Sequence, residues 1–519
     1  MRKSQKRSWI VTVLCISLFF SLTGCGQALQ KQSAPGNIKN LIQQMGAGWN
    51  LGNSLESVDF KQLGETGKKQ FRNSYKAMMI YESAPYSGWD ASSQQPVRWG
   101  LDALEWKISD VKSDSQSACG KFIIQLFNEK LKNSGSGKVT ATINNAVFIK
   151  ADGSEISLSP WDGSYETDIC DSKSKNIELS LKEISELERT SDIVGGTLKL
   201  NISLSNYPDT VEPGTFADDT VKAYETLWGN PQTTKAMIDQ VKEAGFGTVR
   251  VPVSYYDHLQ EDGTIDKVWL KRVATVVSYV LDNDMYCVID VHHDTGNNSW
   301  INADADKLEE NKEKLTLLWK QIGNYFKDYD EKLIFEGMNE VLTSKNDWMS
   351  TDQDVFDSVN ALNQTFVDTI RKQGGNNASR YLITNVYASS NRAEVLSAFE
   401  LPKDSIKDHI MVDIHSYEDT ADLDAVFSRI DEALINRKIP VFIGEFGKKH
   451  IENSTSTEEQ LTYMKQFIKM AKERNMPYCW WDDGKSFADS KMVNNFSLFN
   501  RDTLTWYFPK LTEALTAKD

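Results

Sequence analysis

The chain has 519 residues, 40% of them apolar and 25% charged, with a formal net charge of −15. That balance excludes general disorder and gives enough apolar surface for two or three domains. The acidic excess argues against nucleic acid, whose phosphates select basic patches.

Arg2, Lys3, Lys6 and Arg7 precede an apolar run from Trp9 to Leu22. The run is too short and wrongly flanked for a membrane span, so residues 1–25 are predicted to be a secretory signal. It ends in LTGC, which resembles the bacterial lipoprotein box and implies a lipidated Cys25 as the mature N-terminus. An ordinary signal with a chance cysteine is the plainer alternative. Acyl chains contribute about 0.8 kcal/mol per buried methylene. The protein is therefore expected outside the cytoplasm, tethered to a membrane by its lipid alone, or secreted. Beyond Cys15 and Cys25, Cys119 and Cys170 fall in one segment and are candidates for a bridge, whereas Cys287 and Cys479 lie in apolar strand-like runs and read as buried thiols.

Residues 26–58 lead into a first strand, MGAGWNLGN (45–53). From 219 to 519 β-rich runs alternate with amphipathic stretches: GTVRVPV (247–253), YCVIDVHH (286–293), LIFEGMNE (333–340), YLITNVY (381–387), HIMVDIHSY (409–417), PVFIGEFG (440–447) and PYCWWDD (477–483). Between them lie helical patterns such as VWLKRVATVVSYVLDND and KEKLTLLWKQIGNYF, and FPKLTEALTAK closes the chain. Seven strands plus the first make eight, the number that closes a parallel (β/α)8 TIM barrel. Residues 59–218 interrupt the pattern. They alternate by twos in KFIIQLFNEKL, KVTATINNAVFIK, NIELSLKEI and GTLKLNISLS, which predicts a β-sandwich inserted after the first barrel strand. Trp89, Trp99, Trp106 and Trp161 of this insert are either a stacking platform for a glycan or sandwich core.

In such a barrel the C-terminal strand ends form the active face. LIFEGMNE read as one strand puts Glu336, Met338 and Glu340 on one face, with Glu340 at the rim. PVFIGEFG likewise delivers Glu445, beside a Gly444 that admits close neighbours. Two carboxylates on two strand ends suit a retaining glycosidase, in which one protonates the leaving oxygen and the other attacks the anomeric carbon.

WNLGNSLE, ETLWGNP, GFGTVRVPVSY, VIDVHHD, IFEGMNE, DIHSY, FIGEFG and WWDDG, in that order over 45–58 and 219–519, closely resemble glycoside hydrolase family 5, its cellulase-type members in particular. The resemblance implies Glu340 as acid/base and Glu445 as nucleophile. It implies Arg250 as the residue that keeps the nucleophile ionised, with a plain salt bridge to Glu336 as the alternative. Asn339 matches the residue that binds the sugar 2-hydroxyl, His415 and Tyr417 the pair that orient acid and nucleophile, and Trp481 the ring under the sugar, with Trp480 read as core. His292 and His293, taken as strand neighbours, point to opposite sides, so one or both contact sugar or fill a polar core layer. Asn53 matches a substrate-contacting position or serves a turn. WWDDG departs from the more usual WWDNG at Asp483, where a carboxylate replaces the amide of the family pattern. The activity implied is that of a monomeric endo-β-1,4-glucanase on β-glucan polysaccharide with no cofactor or metal, and xyloglucanase, mixed-linkage glucanase or mannanase as alternatives within the family. Outside it stand a metal-dependent barrel hydrolase using His292, His293 and Asp294, which lacks the expected HxH, and a non-catalytic glycan-binding surface lipoprotein.

Overall fold

The computed structural model describes residues 38–58, 75–83, 89–91, 95–97, 104–108, 119–128, 138–168, 176–205, 216–260, 263–451, 457–484 and 494–517. Cys25 and the signal segment, Cys170 and the side chain of Cys119 lie outside these residues. No described helix is long and apolar enough to cross a membrane.

Eight parallel strands close into a barrel: β1 (Ala47–Asn50), β2 (Thr248–Val251), β3 (Tyr286–Asp290), β4 (Leu333–Glu336), β5 (Leu382–Asn385), β6 (Ile410–Ser416), β7 (Val441–Phe446) and β8 (Tyr478–Trp480). Strand β1 closes the ring, pairing Asn50 with Arg250 on one side and Trp49 with Trp480 on the other. Strands buried on both faces need near-continuous apolar runs, and these strands are apolar apart from a few buried polar residues, most of them towards their C-terminal ends. Their outward side chains meet the surrounding helices in one large core that includes Trp269, Trp319, Phe366 and Trp480.

Inside the barrel, Val288, Ile334, Ile383, Met411, Phe442 and Cys479 form a separate apolar layer. The helix Ile38–Met45 plugs it, laying Ile38, Leu41 and Met45 on that layer, as spacings of three and four residues allow on one helix face. Gly48 is required here, since a Cβ would lie 2.3 Å from the Cys479 sulfur. Two residues further along four of these strands, on the same inward face, come Asp290, Glu336, Asn385 and Asp413, all buried. The barrel interior is thus apolar at the floor and polar at the mouth.

The inserted segment folds as two five-stranded antiparallel sheets. One centres on Tyr75–Ser83 and Cys119–Asn128; the other pairs Lys138–Ile149 with Thr197–Ser205 and Gly163–Asp168. Their inward residues share a single core containing Tyr81, Phe122, Phe148 and Leu198. Trp106 and Trp161 belong to that core at 2% and 1% exposure, which settles them as packing residues and removes them from any stacking platform. The side chain of Trp89 and all of Trp99 lie outside the described residues. Where the chain returns to the barrel, Asp266 accepts the Phe216 N–H at 2.6 Å while its other oxygen caps the helix Lys267–Leu281 through Val268 and Trp269. Glu225 forms a two-point ion pair with Arg272. Cys287 and Cys479 are buried free thiols, as their apolar runs imply.

Candidate active site

Arg250 stands fully buried at the end of β2 and organises the barrel mouth. Its guanidinium donates to both oxygens of Glu336 (2.7 and 2.8 Å), to Asp290 (2.8 Å), to Oε1 of Glu445 (2.8 Å), to Oδ1 of Asn339 (2.8 Å) and to Oδ1 of Asn50 (3.1 Å). Arg250 makes the salt bridge to Glu336 and also reaches Glu445. A planar fork of five N–H donors can do this where a lysine cannot.

Glu445 lies within β7, its side chain 6% exposed. Its other oxygen accepts the Tyr417 hydroxyl at 2.6 Å and lies 3.5 Å from Nδ1 of His415. Burial works to raise the carboxyl, but the charges of His415 and Arg250 outweigh it and hold Glu445 at about 2. Tyr417 is 40% exposed as a residue, but its hydroxyl turns inward onto Glu445, where desolvation of that end and the Glu445 charge push it above its usual range, so the hydroxyl stays a donor.

Glu340 is placed differently from the strand expectation. Strand β4 stops at Glu336, where the side chain turns inward to Arg250, and Glu340 follows four residues later in a left-handed conformation (φ 42°). A non-glycine residue held in that region marks a position fixed by its surroundings. Its N–H donates to Oγ of Ser389 at 3.3 Å, and the Val341 carbonyl accepts from Ala388, which straps this turn to the loop after β5. The Glu340 side chain is 26% exposed, and Nδ1 of His415 lies 2.9 Å from its Oε1. One oxygen of Glu340, one of Glu445 and a nitrogen of His415 all lie within 4.8 Å of one another. Glu336, Asp413 and His415 form a second such group below it. The two trios share His415, whose Nδ1 faces Glu340 and whose Nε2 faces Asp413.

Strand β3 likewise ends at Asp290, before the histidine pair, so the opposite-sides reading of His292 and His293 does not hold. In the loop their rings meet edge to face with centroids 4.6 Å apart. Asp290, already bound to Arg250, also takes Nδ1 of His292 at 2.7 Å. Burial, with the Arg250 charge, pulls His292 down to about 3, so the ring is neutral, and the tautomer that donates from Nδ1 to an ionised Asp290 presents Nε2 as an acceptor. His293 packs its ring edge against Trp228. Trp481 lies parallel to His292 at 6.0 Å, and Gly52 lets it sit there, since a Cβ at that position would come within 2.8 Å of the indole. Trp480 is core, its indole N–H on the Phe496 carbonyl. Asn53 takes the left-handed turn conformation (φ 56°), with its carbonyl bound by Asn230. An oxygen of Asp483 accepts the Phe496 N–H at 3.3 Å. Asn50, Asp290, Asn385 and Asp413 were not singled out from the sequence. The signal that could have found the last three is the alternation in VID, ITN and MVD.

Paired glutamates with a histidine between them, at the C-terminal mouth of a (β/α)8 barrel, define an enzyme of the glycoside-cleaving class. The family model for cellulase (glycosyl hydrolase family 5) matches residues 211–486. Endoglucanase A of Clostridium longisporum is 34% identical over 315 residues, covering 56% of this chain and 59% of its own length. A broad-specificity endoglucanase from Ruminococcus champanellensis with bound cellotriose is 37% identical with a TM-score of 0.54, covering 58% of this chain and 92% of that one. A xyloglucan-specific endo-β-1,4-glucanase from a metagenomic library, in complex with cellotriose, is 32% identical with a TM-score of 0.53, covering 57% and 90%. The chain belongs to glycoside hydrolase family 5, the cellulase family.

Proposed function

We propose that the protein is a retaining endo-β-1,4-glucanase that hydrolyses internal bonds of cellulose-like polysaccharides, working outside the cytoplasm as a monomer tethered through a lipidated Cys25. The observation that carries the mechanism is the spacing: Glu340 and Glu445 bring oxygens within 4.8 Å of each other. Retaining enzymes hold their carboxyl groups about 5–5.5 Å apart and inverting ones about 6.5–9.5 Å, the extra room being for water. Glu445 attacks the anomeric carbon while Glu340 gives its proton to the departing glycosidic oxygen. Glu340 then takes a proton from water, which attacks the same carbon and frees Glu445. Arg250 and Tyr417 keep the nucleophile ionised and aimed, Asn339 and His292 offer hydrogen bonds to sugar hydroxyls, and the Trp481 indole packs against a pyranose face.

Cellotriose in both structural relatives supports a β-1,4-glucan substrate. The xyloglucan specificity of one of them supports xyloglucan as the second reading. Initial rates on carboxymethylcellulose, mixed-linkage glucan and xyloglucan rank these directly.

The roles are tested by mutation. Glu445→Ala is expected to abolish turnover on every substrate. Glu340→Ala is expected to lose far less on dinitrophenyl cellobioside than on cello-oligosaccharides, because acid assistance worth roughly 10²–10⁴ is not needed by a good leaving group, and azide should partly restore it. Identical responses of the two variants to leaving group and azide would overturn the assignment.

A further inference from the structure

The strand that carries His415 also carries Asp413, two residues earlier and fully buried. Both nitrogens of the His415 ring face acidic oxygens. Nδ1 lies 2.9 Å from Glu340 and 3.5 Å from Glu445, and Nε2 lies 3.2 Å from Oδ2 of Asp413. The last contact is an ion pair by distance and not an aligned hydrogen bond. Asp413 and Glu445, when ionised, only accept, so a ring set between them is favoured when both nitrogens carry hydrogen, and Oε1 of Glu340 can accept from Nδ1 whether or not its other oxygen holds a proton. Asp413 is itself fixed: its Oδ1 accepts the Gly444 N–H at 2.8 Å, and a Cβ at 444 would lie 2.3 Å from that oxygen. The register slips at this point between β6 and β7, and the slip sets Glu445 opposite His415.

We infer that Asp413 is a positioning residue for the reaction proposed above, anchoring His415 in its doubly protonated form between the two glutamates. The inference rests on that reading of Glu340 and Glu445. A bare Nδ1 would accept the Glu340 proton and withhold it from the glycosidic oxygen. An Nδ1–H donates instead to Oε1 and leaves the acid proton on Oε2. The same imidazolium is a second positive charge beside Glu445, in addition to Arg250. Glu340, Glu445 and Asp413 face the ring, its charge in turn helps to keep the nearby His292 neutral, and Glu336 is linked to Asp413 through Asn385. Burial disfavours the charged ring, but Glu445 and Asp413 outweigh it and push His415 well above its usual range.

The test is imidazole nitrogen NMR on the full chain labelled at its six histidines, with His415 assigned by the signals lost in His415→Gln. The parent protein is expected to keep both His415 ring protons through neutral pH. Asp413→Asn is expected to lose one of them by neutral pH and to raise the acidic limb of kcat/KM by about one unit. Asparagine still offers Gly444 an acceptor, so a role limited to packing would move neither reading. A neutral His415 ring in the parent at pH 7, or a variant whose spectrum and limb match the parent, would overturn the inference. The parent spectrum decides the matter even if the variant does not fold. Because the spectrum needs no turnover, failure of the proposed function shows separately, as absence of β-glucan hydrolysis.

Discussion

Arg250 and Arg380 are both fully buried, one at the mouth of the barrel and one at its floor, and their charges are handled in opposite ways. Arg250 sits among the carboxylates of Glu336, Asp290 and Glu445. Arg380, just before β5, donates to the carbonyls of Asp330, Leu333, Phe326 and Tyr329 and to Oδ1 of Asn377, and lies over the Phe335 ring. Carbonyls satisfy its hydrogens without balancing its charge, so burial pulls Arg380 down to about 9. Burial also opposes the charge of Arg250, but Glu336 and Asp290 more than offset it and hold that residue well above the ordinary arginine value. A buried cation among carbonyls ties chain segments together. One among carboxylates also sets the charge of its neighbours, and only that kind can act on chemistry.

Two substitutions are expected to separate these roles. Arg250→Lys keeps the charge but cannot reach Glu336 and Glu445 together, so kcat/KM on cellotetraose should fall by about 10²–10³, the scale of losing one preorganised electrostatic contact. Its melting temperature should drop by much less than that of Arg380→Met. The floor variant leaves several buried carbonyls without a donor, at about 1–3 kcal/mol for each that finds no water. Chemical denaturation should show that loss, while kcat of the folded fraction stays within about twofold. A floor variant that lost activity without losing stability would break the contrast.

The smallest expected effect comes from the inserted sandwich, whose core is separate from that of the barrel. Replacing residues 62–215 with a short Gly/Ser linker should leave activity on cellotetraose nearly unchanged and weaken action on long polymers, if the insert raises local polymer concentration. Equal polymer activity in the two proteins would mark the insert as a spacer or a partner-binding domain.

Much of this architecture is legible in the sequence, for a physical reason. Parallel barrel strands are apolar on both faces, so eight short runs separated by amphipathic helices stand out, and all eight lie where expected. Strand ends are less legible. IFEGMNE carries no breaker except Gly337, and nothing local shows that Glu336 is tied down by a residue 86 positions away while Glu340 waits in a left-handed turn. The same limit applies to VIDVHH, where Asp290 ends the strand and frees both histidines from alternation. The polar layer was within reach, since VID, IFE, ITN and MVD each place a polar residue two positions after an inward apolar one. Trp106 was also decidable, because LEWK alternates buried and exposed with Trp106 on the buried face. Arg380 was not, because its partners are backbone carbonyls from another segment, which no side-chain pattern announces.

The account stands on double displacement at Glu445 with Glu340 as acid and base, and the stereochemistry of the first product tests it most directly. Proton NMR of cellotetraose or cellopentaose mixed with a high concentration of enzyme resolves the new hemiacetal before mutarotation. Two inversions at the anomeric carbon require the β-anomer to appear first, with the α-anomer growing in later. An α-anomer seen first would mean a single displacement by water and would contradict the roles given to both glutamates.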